Sequence, residues 1–500
     1  MPSTLHDSHL LQLSEFVAEK IGLYFPRERW DDLKRGLAAA SQEIGFKSPE
    51  ACMEWLLTST PEKAHLQILA SHLTIGETYF FRDKPLLEAL TQHILPGLIS
   101  KNRSREQRLR FWCAGCCSGE EAYTLAILLH QLLPDLRDWQ ITITATDINL
   151  RFLEKATKGF YSEWSFRNAP TWLKKRYFQP YADGRYALIP EIKQLVNFGH
   201  LNLVEDAYPS LANNTNAMDL VFCRNVLMYF SPTQTQKVIS NLSKSIIEGG
   251  WLLVSPSEAS KALFPQFRSV HYPGAILFQK NHPSITNPSR PSTAITHPPF
   301  AASADKAYIP RPFKPTAVAA FQPISVKAND PSAMLALAQS LYTQGNYAEV
   351  ADTLCEMINQ KAPRHSYLEA FSLLARAFAN LGRLKDALLC CDRWIAADKI
   401  DAAAYYMRAL VLMERGDVKQ AQTSFQQAIF LRPNFVQAYF SLGSIAHHCG
   451  KTAEACKHFS IAQRLLITYA PEEVLPESDN LTAGQLTDII NAMPIMETVS

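Results

Sequence analysis

The feature that most constrains the fold is a repeat in the last third of the chain. Four glycines recur there at steps of 37, 34 and 34 residues: Gly345, Gly382, Gly416 and Gly450. Five residues after each glycine stands a small side chain, namely Val350, Ala387, Ala421 and Ala455. Glycine permits the turn between two helices, and a small side chain permits their close packing. The spacing therefore predicts helix-turn-helix units of about 34 residues that stack side by side.

A period of about 34 residues is that of the tetratricopeptide repeat, whose units form a superhelix with a concave binding face. We therefore predict an all-α tetratricopeptide repeat array over residues 331–468, with a protein or peptide partner. The acidic tail, residues 469–500, contains the amphipathic stretch LTAGQLTDIINAM, which would cap the array. An unrelated helical bundle is the alternative, and the repeated phase disfavours it.

A proline-rich segment separates the repeats from the rest of the chain. Residues 282–330 contain frequent prolines and no glycine, so we predict a semi-extended disordered linker. Because 500 residues exceed the length of one ordinary domain, we expect separate folded units on its two sides.

The first hundred residues show the apolar spacing of helices. LLQLSEFVAEKIGLYF and ACMEWLLTST follow this spacing, and LLEALTQHILPGLIS predicts a further helix that stops near Pro96-Gly97. Residues 1–100 are therefore predicted to form a helical N-terminal domain. We interpret the polar stretch Lys101–Arg110 as a solvated connector, with a patch for an acidic partner as the alternative.

Residues 101–281 alternate between strand and helix patterns, which predicts an α/β domain with a mostly parallel sheet and helices on both faces. One helix is expected to run from Ser231-Pro232 to Gly249-Gly250. Aromatic alternation around Asp183-Gly184 predicts a small antiparallel β insertion. The last strand, AILFQK, is expected to form a hairpin at one edge of the sheet. The other predicted strands lie in LRFWCAG, ITITATD, LVNFGHLNL, MDLVFCRN and WLLVSPS.

Charge and hydropathy argue against several classes of function. The net charge of +2 gives no field toward nucleic acid or an anionic membrane, and no apolar run approaches the ~20 residues that span a bilayer. The first residues lack the basic region of a signal peptide, and the irregularly spaced cysteines fit free thiols in a reducing cytoplasm. Cys113 and Cys116 have no second pair at zinc spacing, so no metal site is predicted.

The stretch FWCAGCCSGEEAYTLA predicts a ligand-binding turn between the first strand and a helix. Gly115 and Gly119 permit a tight turn and close approach of the backbone to a ligand. Their spacing is neither that of a dinucleotide-binding fingerprint nor that of a P-loop. A plain strand-helix turn is the alternative interpretation.

Acidic residues at this turn favour a cationic cofactor. Asp147 ends the second strand, where a carboxylate accepts hydrogen bonds from the hydroxyls of a ribose. Glu120 and Glu121 would repel phosphates but tolerate the sulfonium and ammonium groups of S-adenosylmethionine. The residues therefore indicate this cofactor rather than a nucleoside phosphate.

Six motifs in order give a specific resemblance. The chain resembles the chemotaxis-receptor glutamate O-methyltransferases, the CheR family, over roughly residues 10–280, and within it the subgroup with C-terminal tetratricopeptide repeats. The resemblance implies a class I, Rossmann-like methyltransferase domain and S-adenosylmethionine as cofactor. The motifs are TIGETYFFRD, CAGCCSGEEAYTLA, ATDIN, Asn202-Leu203, FCRNVLMYF and GGWLLVSPSE.

The resemblance also implies roles for individual residues. Glu121 would hold the amino group of the cofactor and Asp147 its ribose, while Arg82 and Tyr229, the catalytic pair, would border the transferred methyl group. The small β insertion would correspond to a subdomain that binds a receptor tail in some members. The implied cofactor contacts are Thr78, Arg82, Gly115, Glu121, Asp147, Asn202, Leu203, Arg224 and Asn225.

The sequence departs from the family pattern in three places. Gly76 stands where members often have asparagine, and Pro256 replaces the histidine of the usual GHSE motif. A basic stripe that would dock an acidic receptor is thin in the second helix, where only Arg27, Arg29, Lys34 and Arg35 remain. These departures put the choice of receptor in doubt rather than methyl transfer.

The leading hypothesis is methylation of glutamate carboxylates on the cytoplasmic domain of a methyl-accepting chemoreceptor, by a cytoplasmic enzyme whose repeats recruit or regulate partners. A nucleic-acid methyltransferase is disfavoured because CRNV stands where such enzymes have Asn/Asp-Pro-Pro-Tyr/Phe. Neither nucleic acid nor membrane insertion is expected. The alternative is a catalytically weak methyltransferase-fold scaffold that acts through its repeats in a signalling complex.

Overall fold

The computed structural model describes residues 7–103, 106–204, 208–281, 331–359, 364–478 and 481–491. The predicted linker, residues 282–330, and the end of the tail, residues 492–500, lie outside the described residues. No helix within the described ranges is both long enough and apolar enough to cross a membrane.

The chain begins with four helices that share a hydrophobic core of their own. Leu13, Leu33 and Leu37 lie at the centre of this core with no exposed surface. Ser48 caps the third helix by accepting a hydrogen bond from the backbone N–H of Ala51, as expected of serine at this position. The helices are α1 (Asp7–Lys20), α2 (Trp30–Ile44), α3 (Pro49–Thr58) and α4 (Lys63–Leu73).

The next helical segment continues through Pro96 and Gly97, so the predicted stop there is wrong. It consists of α5 (Lys84–Ala89), a π-helical turn (Leu90–Ile94) and α6 (Leu95–Arg103). The π turn resets the hydrogen-bond register, and Pro96 then falls in the first turn of α6, where a missing N–H is tolerated. Residues of this segment pack into the core of the sheet rather than with the first four helices.

Seven strands form the central sheet in the order β6-β2-β1-β7-β8-β10-β9. The first five run parallel, and β10 pairs antiparallel with both β8 and β9, which confirms the predicted edge hairpin. The strands are β1 (Arg108–Ala114), β2 (Gln140–Asp147), β3 (Phe160–Tyr161), β4 (Phe178–Pro180), β5 (Tyr186–Leu188), β6 (Val196–His200), β7 (Met218–Phe222), β8 (Ile246–Leu253), β9 (Phe267–Tyr272) and β10 (Ala275–Lys280).

Helices cover both faces of the sheet, as the sequence predicts. Leu109 and Phe111 of β1 belong to one core and Trp112 to the other, because successive strand residues point to opposite faces. The helices between the strands are α7 (Glu120–Leu132), α8 (Leu150–Lys158), α9 (Thr171–Tyr177), α10 (Pro190–Lys193) and α11 (Pro232–Ser245).

The predicted end of α11 at Gly249-Gly250 is wrong, because both glycines lie inside β8. Gly249 has a φ of +75°, and the pairing of β7 with β8 shifts register at this point. A Cβ on Gly250 would lie 2.9 Å from the carbonyl oxygen of Ile247. The glycines therefore permit a bulge within a strand rather than a helix stop.

The predicted antiparallel insertion is present as a second sheet of three short strands, in the order β3-β5-β4. Asp183 and Gly184 lie in the turn between β4 and β5, both with positive φ. Phe80 is fully buried against Tyr161 and Phe178 of this sheet. The motif ETYFFRD is thereby attached to the insertion.

Four helix pairs form the C-terminal array, and a further helix packs on its last member. Each of the four repeat glycines has a positive φ, between +71° and +84°, in the turn of its pair, and the small residue that follows each is fully buried. The helices are α12 (Pro331–Gln344), α13 (Tyr347–Asn359), α14 (Arg364–Asn380), α15 (Leu384–Ala397), α16 (Ala402–Glu414), α17 (Val418–Leu431), α18 (Val436–His448), α19 (Thr452–Leu466) and α20 (Ala483–Asn491).

The turns of the array pack against the amino ends of the central strands. A Cβ added at Gly382 would lie 2.9 Å from Nη2 of Arg108, and one at Gly416 would lie 2.6 Å from Nε2 of Gln140. The array therefore contacts the sheet at the edge opposite to the carboxyl ends of its parallel strands, where α/β folds bind ligands.

One acidic residue of the array joins the two units. Oε1 of Glu414 lies 2.8 Å from Arg108 and 3.3 Å from Arg110, and the side chains of Arg110 and Glu414 are 1% and 3% exposed. Asn216 donates to Oε2 of Glu414 over 3.2 Å. The interpretation of Lys101–Arg110 as a solvated connector is therefore wrong at its end, which begins β1 and binds an acid of the array.

Candidate functional site

The turn after β1 is built on two glycines that no other residue could replace without strain. Gly115 has a φ of +76°, and a Cβ there would lie 2.4 Å from Cγ2 of Val226. Gly119 has a φ of +88°, and a Cβ there would lie 2.9 Å from Cβ of Ala156. The backbone thus passes close to its neighbours, and the first turn of α7 follows directly with its two glutamates.

Two adjoining cavities at the carboxyl ends of β1, β2 and β7 form one cleft. They share Ile75, Gly115, Cys117, Asn225 and Tyr229. All ten residues expected at the site line this cleft, so the structure brings them together, while their individual roles remain predictions. One cavity contains Thr78, Arg82, Glu121 and Arg224, and the other contains Asp147, Asn202 and Leu203.

Asp147 ends β2 with its carboxylate held by the backbone. Its Oδ2 accepts from the N–H of Cys117 over 2.8 Å, and its Oδ1 accepts from the N–H of Asn149 over 2.8 Å. Burial raises the pKa of Asp147, and these hydrogen bonds oppose the shift. Each carboxylate oxygen has a second lone pair, so the group can still accept from a ribose diol.

Arg224 connects two carboxylates at the other side of the cleft. It donates to Oε1 of Glu121 and to Oδ2 of Asp83, each over 2.7 Å. Burial disfavours its charge, but the two carboxylates outweigh burial and raise the pKa of Arg224. Its Nε is buried without a hydrogen-bond partner among the described residues. An unsatisfied donor of this kind fits a ligand acceptor such as the carboxylate of a bound amino acid.

Asp83 was not among the expected site residues. It has a φ of +70°, caps α5 by accepting from the N–H of Leu86, and fixes Arg224 with its second oxygen. The motif ETYFFRD, which contains the expected site residues Thr78 and Arg82, ends on this aspartate. The signal available in the sequence was an acidic residue directly after Arg82, which is itself an expected site residue.

Glu258, also missed, organises the loop after β7. Its carboxylate accepts from the backbone N–H groups of Asn225 and Val226, each over 2.8 Å, and from that of Met228 over 3.3 Å. This holds Asn225 at a φ of +57°. The last letter of the motif GGWLLVSPSE is this glutamate, so the motif contained the signal, although its partners lie about 30 residues earlier.

Tyr229 borders the cleft beside a cation from the first helical region. The guanidinium of Arg29 lies 5.0 Å from the centre of the Tyr229 ring, and burial raises the pKa of the tyrosine. Because its pKa is raised, the Tyr229 phenol stays protonated at neutral pH and can donate a hydrogen bond. Arg82, which also lines the cleft, donates to the carbonyl of Glu77 over 2.7 Å.

In the structure, fewer of the basic side chains in the predicted stripe are available to an acidic partner than the sequence suggests. Arg29 is directed to Tyr229, as described above, rather than presented as part of an open basic surface. Lys34 pairs with Asp31 over 3.2 Å, and Arg35 pairs with Asp32. Arg27 stays exposed, with its guanidinium 5.3 Å from the centre of the Trp30 ring, so three of the four basic residues interact with groups of the protein itself.

The glycine at position 76 has a local explanation. A Cβ there would lie 2.4 Å from Cζ of Phe152, whose ring lines the cleft beside Asp147. The phenylalanine occupies the space that a longer side chain at position 76 would need. The departure from asparagine is therefore paired with a bulky residue on α8.

Cys113 and Cys116, beside the cleft, are buried free thiols. Burial raises the pKa of Cys113 and Cys116 well above the usual value of 9.0, which keeps them protonated. Across the described ranges, no group of three or more histidine, cysteine or acidic side chains is placed to hold a metal ion.

Comparison with known proteins identifies both parts of the chain. Residues 76–275 match the family described as CheR methyltransferase, SAM binding domain, and residues 406–469 match the tetratricopeptide repeat family. Chemotaxis protein methyltransferase 2 of Vibrio cholerae is 29% identical over 276 residues, which cover 55% of this chain and 94% of the relative. Chemotaxis protein methyltransferase Cher2 of Pseudomonas putida is 33% identical over 273 residues, which cover 54% of this chain and 96% of the relative.

Among solved structures, the crystal structure of MamA aligns with 28% of this chain and 81% of its own chain, at 24% identity and a TM-score of 0.26. This similarity is too weak to bear on function. The matches to the methyltransferases cover nearly the whole length of those relatives. The chain therefore belongs to the CheR family of chemotaxis methyltransferases, with S-adenosylmethionine as its cofactor and tetratricopeptide repeats at its C-terminal end.

Proposed function

We propose that this methyltransferase esterifies glutamate side chains on the cytoplasmic domain of a chemoreceptor. The observation that carries the proposal is the division of charge in one cleft. Glu121 and Asp147 offer acidic groups to a cationic cofactor, and Arg82 and Tyr229 offer a cation and a phenol to an anionic acceptor. A carboxylate acceptor fits the second pair through charge-assisted hydrogen bonds.

The chemistry requires positioning more than acid-base catalysis. A glutamate carboxylate has a reference pKa of about 4.3, so it is already a nucleophile at neutral pH and needs no general base. The bound cofactor supplies an electrophilic methyl group on a sulfonium. Transfer of this methyl group to a carboxylate oxygen would leave the electron pair of the broken carbon–sulfur bond on sulfur. Arg82 would orient the carboxylate, and Tyr229 would donate a hydrogen bond to it.

The other cleft residues would hold the cofactor. Asp147 would accept from the ribose hydroxyls, while Glu121, fixed by Arg224 through one oxygen, would bind the ammonium with the other. Asn202, Leu203 and Asn225 would border the base and the methionine portion. Gly115 would allow the backbone to approach the ligand. Thr78, which belongs to the motif ETYFFRD, lines the side of the cavity that this motif forms.

The repeat array would recruit or regulate a protein partner. Its turns pack at the amino ends of the central strands, opposite to the cleft, while α20 approaches the helical N-terminal region through the pair of Lys63 and Asp488. Receptor and array partner would thus bind at separate surfaces of one cytoplasmic protein. This arrangement supports a recruiting role for the array.

The acceptor can be tested by incubation with labelled S-adenosylmethionine and candidate receptor domains. We expect base-labile label on receptor glutamates, with kcat reduced at least about 10-fold in Arg82→Ala because one charge-assisted contact is lost. Label that resists base, or label on nucleic acid but not on receptors, would contradict the proposal.

Cofactor binding can be tested separately by calorimetry. Replacing Asp147 by alanine should weaken binding of S-adenosylmethionine by about 10–100-fold, since hydrogen bonds to a charged group contribute about 1.5–3 kcal/mol. Asp135→Ala is the matched control, because Asp135 pairs with Arg103 at the surface. Equal binding by the two variants would refute the role of Asp147, and absence of binding by the intact chain would favour a scaffold.

A further inference from the structure

The chain folds back on itself after the last repeat. Between α19 and α20, the N–H of Leu475 donates to the carbonyl of Leu481 over 2.9 Å, and the N–H of Ala483 donates to that of Glu473 over 2.9 Å. The hydroxyl of Ser478 donates to the carbonyl of Leu475 over 2.6 Å. We call residues 471–478 and 481–484 the groove loop.

The groove loop reaches the first helices of two different repeats. Glu477 accepts a hydrogen bond from Arg376 of α14 over 2.6 Å, and the carbonyl of Pro476 accepts one from the side-chain amide of Gln437 of α18. Leu475, which is 1% exposed, packs in a hydrophobic cluster with residues of α18 and α19. The loop tip thus extends from the fourth repeat to the second.

These helices line the inner face of the array. Among the first helices of the pairs, α12 contacts α14 and α14 contacts α16, as expected for the tighter side of a curved stack, and α18 is the first helix of the fourth pair. A segment that contacts both α14 and α18 therefore lies across the concave face. The chain's own loop occupies the surface that such arrays offer to partners.

The contacts of the loop are those of a bound peptide. A carboxylate meets an arginine, a backbone carbonyl meets a side-chain amide, and a leucine fills an apolar site. The Arg376–Glu477 pair remains accessible to solvent, with side chains 19% and 26% exposed. Glu477 has a φ of +60°, which is uncommon for a residue other than glycine or asparagine. Because water reaches this ion pair and the backbone conformation disfavours glutamate, the contact between Glu477 and Arg376 can break and release the tip of the groove loop.

We propose that the concave face of the array is a binding site for an acidic peptide segment of a partner protein, and that the groove loop is its built-in competitor. The partner segment presents a carboxylate to Arg376, a backbone carbonyl to Gln437 and an apolar side chain at the site of Leu475. Because the loop belongs to the same chain, its effective concentration is high, and a partner must bind tightly or arrive in high local concentration to displace it. This rests on the proposed recruiting role of the array, which it deepens, and it does not depend on methyl transfer.

The test uses the full chain and a fluorescent synthetic peptide with the sequence of residues 471–478, PEEVLPES. In Glu477→Lys, the loop tip is repelled by Arg376, so the peptide should bind at least ten-fold tighter than to the intact chain. Asp386→Lys is the matched control, because it makes the same charge change and breaks the pair with Arg383 outside the groove. The control should bind the peptide as weakly as the intact chain.

A second variant tests whether the pair between residues 376 and 477 closes the loop. In the swap Arg376→Glu with Glu477→Lys, the internal pair is restored with reversed sign, so the loop should close again and the acidic peptide should not bind. Amide hydrogen exchange at Leu475 and Ala483 should be at least ten-fold faster in Glu477→Lys than in the intact chain or the swap. These amides are the donors that close the loop.

Three results would overturn the proposal. Unchanged exchange in Glu477→Lys together with no peptide binding would make the loop a permanent cap. Faster exchange without peptide binding would show that the opened groove does not bind an acidic peptide. Equal binding by the intact chain and Glu477→Lys would show that the loop does not compete.

Discussion

At the scale of single residues, the site depends on carboxylates that hold other groups in place. Glu258 gathers three backbone N–H groups of the loop after β7, and Asp83 fixes Arg224. Neither residue is expected to touch the reacting atoms. Each acts by limiting the positions that Asn225 and Glu121 can take, which is a large part of what an enzyme contributes to a methyl transfer.

Replacing Glu258 by glutamine tests this positioning role. Glutamine has a single acceptor oxygen and introduces an N–H₂ group among backbone donors, so at least one buried donor loses its partner. We expect kcat/KM for methyl transfer to fall about 10–100-fold and the free energy of unfolding to fall by about 1–3 kcal/mol. Steady-state kinetics and thermal unfolding measure the two effects.

A suitable control for this variant is Glu248→Gln, because Glu248 is a partly exposed acid that pairs with Lys280 on the far part of the sheet. It should keep its activity. If Glu258→Gln lost stability but kept kcat/KM and cofactor affinity, the carboxylate would be structural only, and its assignment as a positioning residue would fail.

The sequence predicts the residues of the cleft better than it predicts how they are held. Motif order placed ten residues in one cleft, because most of the motifs end a strand at the same edge of the sheet and ETYFFRD reaches that edge from the segment between α4 and α5. The hydrogen bonds of Glu258 and Asp83 join segments far apart in the chain, and no local pattern records them. Gly76 is similar, since only the fold shows that Phe152 fills its space.

At the scale of elements, strong local signals were overridden by packing. Pro96 lies within a helical segment because a π turn precedes it, and Gly249 lies in a strand because β8 bulges there. Repeats were predicted more faithfully than single boundaries, since four glycines in one phase reinforce one another. An isolated proline or glycine has several uses, and its local sequence does not distinguish them.

The end of β6 gives an element-scale prediction about pH. Burial first, and then the charge of Lys63 on α4, lower the pKa of His200 to about 4, against an opposing effect of Asp488 on α20. The unfolded chain binds a proton at this histidine below about pH 6.5, whereas the folded chain stays neutral until about pH 4. Stability contributed by the neutral ring is therefore complete above pH 6.5 and is lost as pH falls toward 4.

Thermal unfolding at pH 7.5 and pH 5 measures this effect. We expect the free energy of unfolding of the intact chain to fall by about 1–2 kcal/mol between pH 7.5 and pH 5 because of His200. In His200→Asn this contribution should be absent, so the fall should be smaller by the same amount. His9→Asn is the control, because its ring lies near the start of α1 and is exposed. Identical pH dependence in His200→Asn and the intact chain would rule out the histidine as the cause.

At the scale of the whole molecule, the array is fixed to the catalytic domain rather than merely tethered by the linker. Three successive turns of the array approach Lys244, Arg108 and Gln140, and Glu414 enters a buried cluster with two arginines. The sequence predicted both units and the order in which they occur. It could not predict their contact, because the basic residues and their acid lie about 300 residues apart.

Replacing Glu414 by alanine tests whether this cluster holds the molecule together. The change leaves Arg110 buried without its acid, and breaking a buried pair in this way costs about 3–5 kcal/mol. Glu454→Ala, which removes an exposed partner of Lys451 in the same array, should cost less than about 1 kcal/mol.

We expect Glu414→Ala to unfold in separate transitions for array and catalytic domain while S-adenosylmethionine affinity stays unchanged, because the cluster lies at the edge of the sheet opposite to the cleft. A single transition at the original temperature would mean that Glu414 contributes little to docking, and a loss of cofactor affinity would instead indicate that the array and the cleft are coupled through β1.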